Sequence, residues 1–234
     1  MILYEDSELL IVHKPAGLAT QTARLGQADL VSELKNYRSS KGEPAYIGVV
    51  HRLDQPVEGL IAFAKTQSAA GALGKQLQDG TLKKSYLALV AGEPGENAGG
   101  KLTDYLLKDS RAGISRVVEK NTCGAKKAEL SWRCVKAFTG SGFALAEVWL
   151  YTGRHHQIRV QLANAGMPLL GDVKYGSAAS GVLSGRLGVT TVALCAYHME
   201  LLHPKTGKRL EYTIDWDVLG RVEEALGNTQ VDAK

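Results

Sequence analysis

Two short stretches hold most of the side chains able to do chemistry. The first is Val50-His51-Arg52-Leu53-Asp54-Gln55-Pro56-Val57-Glu58-Gly59, where a basic pair and a carboxylate stand between apolar runs. Gly48-Val49-Val50 leads in, and Leu60-Ile61-Ala62-Phe63-Ala64 leads out without a polar side chain. Such runs, bounded by turn residues, are expected to be buried strands. Gln55-Pro56 and Gly59 mark a turn between them. Asp54 is thereby set at the end of one core strand and near the start of another, where the scaffold fixes a charge and the loop leaves it reachable. An ionised carboxylate so placed suits nucleophilic attack or proton abstraction. A charged surface turn has the same pattern, and both readings stand on these residues alone.

The second stretch is Tyr151-Thr152-Gly153-Arg154-His155-His156-Gln157-Ile158-Arg159-Val160-Gln161-Leu162-Ala163-Asn164-Ala165-Gly166. The spacing predicts a helix starting at Thr152 or Gly153 and ended by Gly166 and Pro168, with Ile158, Leu162 and Ala165 as its buried stripe. Arg159 borders that stripe, and a cation there wants a carboxylate partner. Arg154, His155 and His156 crowd the helix N-terminus, where the macrodipole disfavours positive charge. Cations there make sense if an anion sits among them. Neighbouring histidines on a helix point about 100° apart, and no His-x3-His spacing is present, so no metal site is expected. Two further residues carry a sharp and a plain reading. Lys14, just before the turn of Pro15-Ala16-Gly17, is a cation aimed at a site or a solvated turn lysine. Tyr86 is an active-site tyrosine or a core residue with its hydroxyl at the rim.

The elements around these stretches follow from periodicity. Ile2 to Tyr4 and Leu9 to Val12 read as two strands or a hairpin. Ala28 to Arg38 is an amphipathic helix with Asp29 near its start, broken by Lys41 to Pro44. Ser68 to Leu77 is a second helix, stopped by Gly80. Lys83 to Val90 is a central strand. Ala91 to Gly100 is a flexible connection. Ala128 to Phe138 and Phe143 to Tyr151 form an antiparallel pair packed through Trp132, Val135, Leu145 and Trp149. Ser177 to Thr190 is expected to be a Gly/Ser-rich loop. Val192 to Leu202 and Arg209 to Ile214 are strands around the turn His203 to Gly207. The tail from Arg221 is polar and expected to fray.

The 234 residues fit one large domain or two small ones, and the charge of +4 is compatible with a polyanionic partner without pointing to one. Three cysteines without a Cys-x-x-Cys pair argue against a disulfide framework and for a reducing compartment. The N-terminus has no secretory pattern, and no apolar run is long enough to span a bilayer. A cytoplasmic protein with no membrane association is the expectation.

Several motifs, in order over about residues 1 to 215, resemble the pseudouridine synthases, in the branch that modifies uridines of large-subunit ribosomal RNA and transfer RNA. His51-Arg52-Leu53-Asp54 is similar to that family's His-Arg-Leu-Asp, and His13-Lys14-Pro15-Ala16-Gly17 to its Asn-Lys-Pro-Ala-Gly. Lys84-Ser85-Tyr86 resembles its Lys-x-Tyr strand, and Gly153-Arg154-His155-His156-Gln157-Ile158-Arg159 its Gly-Arg-x-His-Gln-Ile-Arg helix. Gly166-Met167-Pro168 and Gly171-Asp172-Val173-Lys174-Tyr175-Gly176 follow its Gly-x-Pro and Gly-Asp-x-x-Tyr-Gly. Where the family has a small hydroxyl pair before the glycine, this chain has Val57-Glu58, which adds a charge near Asp54. His13 replaces the usual Asn, and His155 stands where Thr is common.

The resemblance implies an α+β fold: a mixed, mostly antiparallel bent sheet flanked by helices, with a central catalytic cleft. Residues 1–220 would be one catalytic domain and 221–234 a polar tail, with too short an N-terminus for the accessory RNA-binding domain of some relatives. It further implies isomerisation of uridine in RNA, with Asp54, Tyr86 and Arg159 as catalytic residues. Asp54 is nucleophile or base, Arg159 its salt-bridge partner, and Tyr86 stacks on the uracil. Arg52 fills the gap left by the flipped base. Lys14, Lys83, Lys84 and Arg154 contact phosphates, and His51, His156 and Ile158 join the substrate-binding set. No redox or nucleotide cofactor is called for, and no Gly-x-Gly-x-x-Gly or P-loop pattern is present. The partner is RNA, and the expected state is a monomer. Two alternatives stay open: an RNA-binding relative whose catalysis Glu58 has weakened or abolished, and a glycoside-type hydrolase using Asp54 and Glu58 as its carboxylate pair.

Overall fold

A computed structural model describes residues 1–22, 26–216, 220 and 222. The tail expected to fray lies, apart from Val222, outside the described residues. In chain order the elements are β1 Ile2–Glu5, β2 Leu9–Lys14, α1 Leu30–Ser40, β3 Gly48–Val49, β4 Glu58–Ala64, α2 Gln67–Asp79, β5 Lys83–Ala91 and β6 Gly99–Asp109. They continue as β7 Ile114–Val118, β8 Lys126–Phe138, β9 Phe143–Leu150, α3 Gln157–Asn164, α4 Ala178–Arg186, β10 Leu194–Leu202 and β11 Arg209–Thr213. The class is α+β, as the strand-rich sequence implies. No described helix is long and apolar enough to cross a membrane.

The chain divides into two compact units, one of residues 1–84 and 196–214, the other of 85–195 and 215 onward. In the first, the strand order is β1-β2-β4-β10, with β11 on β10 and β3 on β4. Leu60 to Ala64 carries no polar side chain because both faces of β4 are covered, and all five residues are fully buried. Leu9, Ile11, Leu60, Ala62 and Ala64 pack with Ala69 and Leu73 of α2. Asp29 caps α1 by accepting from the Ser32 N–H at 2.8 Å, and Thr66 caps α2 by accepting from the Ala69 N–H at 3.1 Å. Gly80 closes α2 in the left-handed conformation, φ +77°.

In the second unit the order is β5-β9-β8-β6-β7. The predicted β8–β9 hairpin is present, but a bulge between Cys134 and Lys136 turns Val135 outward. Val135 is exposed and Leu145 buried, so only part of the expected packing set is core. Residues 99–118 fold as a long hairpin, β6 on β7, that periodicity had not indicated. The expected loop at 177–190 contains helix α4, held by a capping box between Ser177 and Ser180. The expected helix at 152–166 begins only at Gln157, because His156 takes a left-handed φ of +56°. Ala165 of its predicted stripe is exposed, whereas Gln157, Val160 and Gln161 are buried beside Ile158 and Leu162.

Candidate active site

Asp54 stands in the loop from β3 to β4, half-buried. The residues on either side of it are tied to the 14–20 loop. The Thr20 hydroxyl donates to the Leu53 carbonyl at 2.9 Å and accepts the Leu53 N–H at 3.2 Å. Gln55 accepts the Gly17 N–H at 2.9 Å and returns its side-chain amide to the Gly17 carbonyl at 3.0 Å. The Val57 N–H closes a turn on the Asp54 carbonyl at 3.0 Å. The backbone of Asp54 is therefore clamped on both sides while its carboxylate sits on a loop, the arrangement a preorganised catalytic group requires.

Lys14 is neither a solvated lysine nor at the surface. It is fully buried, and its ammonium donates to the carbonyls of Pro15, Leu18 and Gln55 at 2.9, 2.7 and 3.2 Å. It therefore holds the two loops together. Burial pushes its pKa down to about 8, against the opposing pull of the Asp54 and Glu58 carboxylates. Val57 is core and Glu58 opens β4.

His51 accepts the Ala62 N–H on Nε2 at 3.1 Å, serving a main-chain donor of β4, and its Nδ1 lies 3.2 Å from the Lys84 ammonium. Burial first, and the Lys84 charge second, hold its pKa well below the ordinary imidazole value, so the ring is neutral at pH 7. Arg52 is exposed, and its guanidinium makes no ion pair among the described residues. Lys83 is exposed at the start of β5.

The other sequence-derived candidates belong to the second unit. Tyr86 is buried on β5, opposite Val148 of β9. Arg159 is also buried, and its Nε and Nη2 donate to the two carboxylate oxygens of Asp172, each at 2.7 Å. Asp172 also accepts the N–H groups of Lys174 and Tyr175 at 3.0 and 3.2 Å. Burial raises the Asp172 pKa, but the Arg159 hydrogen bond and charge and these two N–H groups more than offset it, and the net shift is downward. The Arg159 guanidinium lies 5.2 Å from the Tyr175 ring centre.

Tyr175 extends this cradle. Its hydroxyl accepts the Ser115 N–H at 2.7 Å and lies 2.8 Å from His156 Nδ1. The His155 and His156 rings stack with centroids 3.7 Å apart, and His155 Nδ1 lies 3.0 Å from the Ser115 hydroxyl. The strained backbone of His156 is thus held by a stack and two side-chain contacts. Arg154 is exposed and donates from Nε to the Lys127 carbonyl at 2.9 Å. Ile158 is core.

Thr20, Gln55, Asp172, Tyr175 and Ser115 escaped the motif reading as participants. For Asp172 a signal existed, since a buried arginine needs a carboxylate. Thr20 and Gln55 act through main-chain bonds between distant segments, which leave no pattern in sequence.

The chain is similar to known proteins over most of its length. A family model described as RNA pseudouridylate synthase matches residues 8–164. The chain is 36% identical over 215 residues to the ribosomal large subunit pseudouridine synthase D of Nitrosomonas europaea, covering 89% of this chain and 60% of that one. It is 35% identical over 206 residues to the uncharacterized RNA pseudouridine synthase YhcT of Bacillus subtilis, covering 88% and 65%. The chain thus spans less than two thirds of the length of these two relatives. With the tRNA pseudouridine synthase C of Pasteurella multocida the match is 30% identical over 219 residues and covers 89% and 88%. Among solved structures, human RNA pseudouridylate synthase domain containing 4 superposes with a TM-score of 0.75 at 21% identity, covering 95% of this chain and 92% of that one. That likeness supports the fold.

Proposed function

The chain belongs to the RNA pseudouridylate synthase family, and from that premise we propose that it isomerises specific uridines of ribosomal or transfer RNA to pseudouridine. Residues 1–220 act as one catalytic domain, as a monomer in the cytoplasm. The observation that carries the reading is the clamped loop, in which Leu53 and Gln55 are pinned on either side of a reachable Asp54. In the reaction the N1–C1′ bond breaks, the uracil turns, C5 bonds to C1′, and the C5 proton is lost as N1 gains one. The product is an isomer of the substrate, so no oxidant or reductant enters.

Asp54 acts on the flipped nucleotide as nucleophile or base. Arg159, oriented by Asp172, serves as an ionic partner in catalysis; an arginine has five donors and can serve two carboxylates. Tyr86 stacks on the base, Arg52 fills the vacated stack, and Lys83, Lys84 and Arg154 meet phosphates. Lys14 contributes by fixing the loop, and His51 by fixing β4 beneath it.

The test is conversion of uridine to pseudouridine in deproteinised bacterial ribosomal and transfer RNA by the purified chain. Asp54→Asn is expected to lower conversion by at least about a thousandfold, a loss of about 4 kcal/mol of transition-state stabilisation, while RNA affinity changes little. Conversion that survives Asp54→Asn and Asp54→Ala overturns the assignment.

A further inference from the structure

The net charge of the molecule is concentrated in one segment. Residues 99–127 hold seven of the 28 Lys and Arg and three of the 24 Asp and Glu, so the remaining 21 cations and 21 anions balance. All seven cations are exposed, on or between β6, β7 and β8. Lys101 and Lys127 share Glu129, at 2.8 and 3.1 Å. Lys108, Arg111, Arg116, Lys120 and Lys126 have no carboxylate partner among the described residues.

The register shows where they stand. Leu106, Val117 and Ala128 pack inward with Val160 of α3 and with Tyr175. Strand side chains alternate, so Lys101, Tyr105, Leu107, Arg116 and Lys127 occupy the opposite face, with Tyr105 beside Lys127 and Leu107 beside Arg116, whereas Lys108 and Lys126 lie on the Leu106 side and Arg111 and Lys120 in the turns. Lys101 lies 5.3 Å from the centre of the exposed Tyr151 ring. Cations alternating with aromatic and aliphatic side chains on an open sheet face form a surface for a phosphodiester chain. A charged residue on an edge strand also blocks strand addition, but Arg116 at the middle of β7 suffices for that. Self-repulsion among the other unpaired cations is then left without a purpose unless a polyanion relieves it.

The surface is continuous with the Arg159 cradle. The Arg154 side chain is bonded to the Lys127 carbonyl, and the exposed Lys174 ammonium to the Gly113 carbonyl in the β6–β7 turn at 2.8 Å. Ser115 of β7 is bonded to Tyr175 and His155.

We infer that the β6–β7–β8 arm is a docking surface for the phosphate backbone of the RNA outside the target nucleotide. This rests on the proposed activity and adds to it a source of affinity for large, structured RNA. The test compares Arg111→Gln/Arg116→Gln/Lys127→Gln with a control of equal charge change, Lys35→Gln/Lys75→Gln/Lys208→Gln, which removes exposed lysines of the first unit. Binding of ribosomal RNA is measured by fluorescence anisotropy across a salt series, and conversion in parallel; circular dichroism melts confirm that both variants fold. The arm variant is expected to lower the log Kd against log salt slope by about 2–3 and to weaken binding about ten- to a hundredfold near physiological salt. KM for ribosomal RNA rises with kcat little changed, and KM for a short stem-loop changes less. An unchanged slope, or an equal loss in the control, overturns the inference. So does competition from poly-glutamate stronger than from RNA, which would assign the arm to an acidic protein. A wild-type chain that binds with the arm-dependent slope yet converts no uridine sinks the proposed activity and leaves the docking surface standing.

Discussion

At the scale of single residues the site is governed by groups that serve the backbone around Asp54. Thr20→Val keeps the side chain's volume but removes both bonds to Leu53. It is expected to cost about 1–3 kcal/mol in urea unfolding, because a buried N–H and carbonyl lose their partner, and to lower kcat more than it raises KM. Lys14 makes a pH prediction. Its folded-state pKa of about 8 lies below the ordinary 10.5. Between those values the unfolded chain holds a proton that the folded one has released, so this residue's contribution to stability rises with pH across the window. Activity moves the other way. A neutral amine has two N–H groups for the three carbonyls of Pro15, Leu18 and Gln55, and the loop loosens. The rate is expected to fall above about pH 8, and Lys14→Arg to move that alkaline limb upward; an identical limb in both proteins would clear Lys14 of it. His51-Arg52-Leu53-Asp54 was legible in sequence as a chemical centre. The lysine's role was not, since a turn residue beside Pro15 gives no sign that its ammonium is folded inward.

At the scale of elements, close approach and tertiary bonds decide what periodicity leaves open. Gly59 has φ +129°, and a Cβ there would lie 2.5 Å from the backbone N and O of Ala196 on β10. Gly59→Ala is expected to destabilise by at least about 3 kcal/mol, from forbidden backbone and a clash that no rotamer relieves. Loss of less than about 1 kcal/mol in a urea melt would contradict the β4–β10 packing. Core strands such as β4 were readable because continuous apolar runs have one explanation. Helix α4 was not, because Ser180-Gly181 and Ser184-Gly185 have low helix propensity. It forms because Ser177 and Ser180 cap it and Ser184, buried, accepts the Gly171 N–H at 2.8 Å while donating to the Ser180 carbonyl. Ser177→Ala should cost about 1 kcal/mol. The β6–β7 hairpin escaped for a different reason. Lys101, Asp104, Lys108 and Arg116 interrupt the alternation a strand shows in sequence; Lys101 and Arg116 are tolerated on the solvent face, Asp104 because it accepts from Gln161 at 2.7 Å, and Lys108 because it is exposed near the turn.

At the scale of the whole molecule, acid tolerance follows from carboxylates that folding holds ionised. Burial raises the pKa of Glu5, but hydrogen bonds from Lys65, Tyr37 and Lys41, with the Lys65 charge, bring it down to about 2. Lys65, itself buried, lies 2.8 Å from Glu5 and 2.9 Å from Glu43, and Glu43 also takes Arg38 at 3.1 Å. Asp6 and Asp172 follow the same course, burial raising each and hydrogen bonds more than reversing it. Glu43 is held down chiefly by Lys65, and Glu129 by Lys101. A carboxyl with a depressed folded-state pKa adds stability that is fully present above its unfolded value and is lost as pH falls through the folded one. For Glu5 that window runs from its ordinary 4.5 down to about 2. Because 17% of the Glu5 side chain is exposed, solvent screening trims its share to about 2 kcal/mol at pH 7. Glu5→Gln should therefore unfold about 2 kcal/mol more easily at pH 7, and the gap from wild type should close as the pH falls from 4.5 toward 2. A gap of constant size down to pH 2 would place the effect of Gln in packing, and would mean that the ionised Glu5–Lys65–Glu43 chain is not what secures the acid limb.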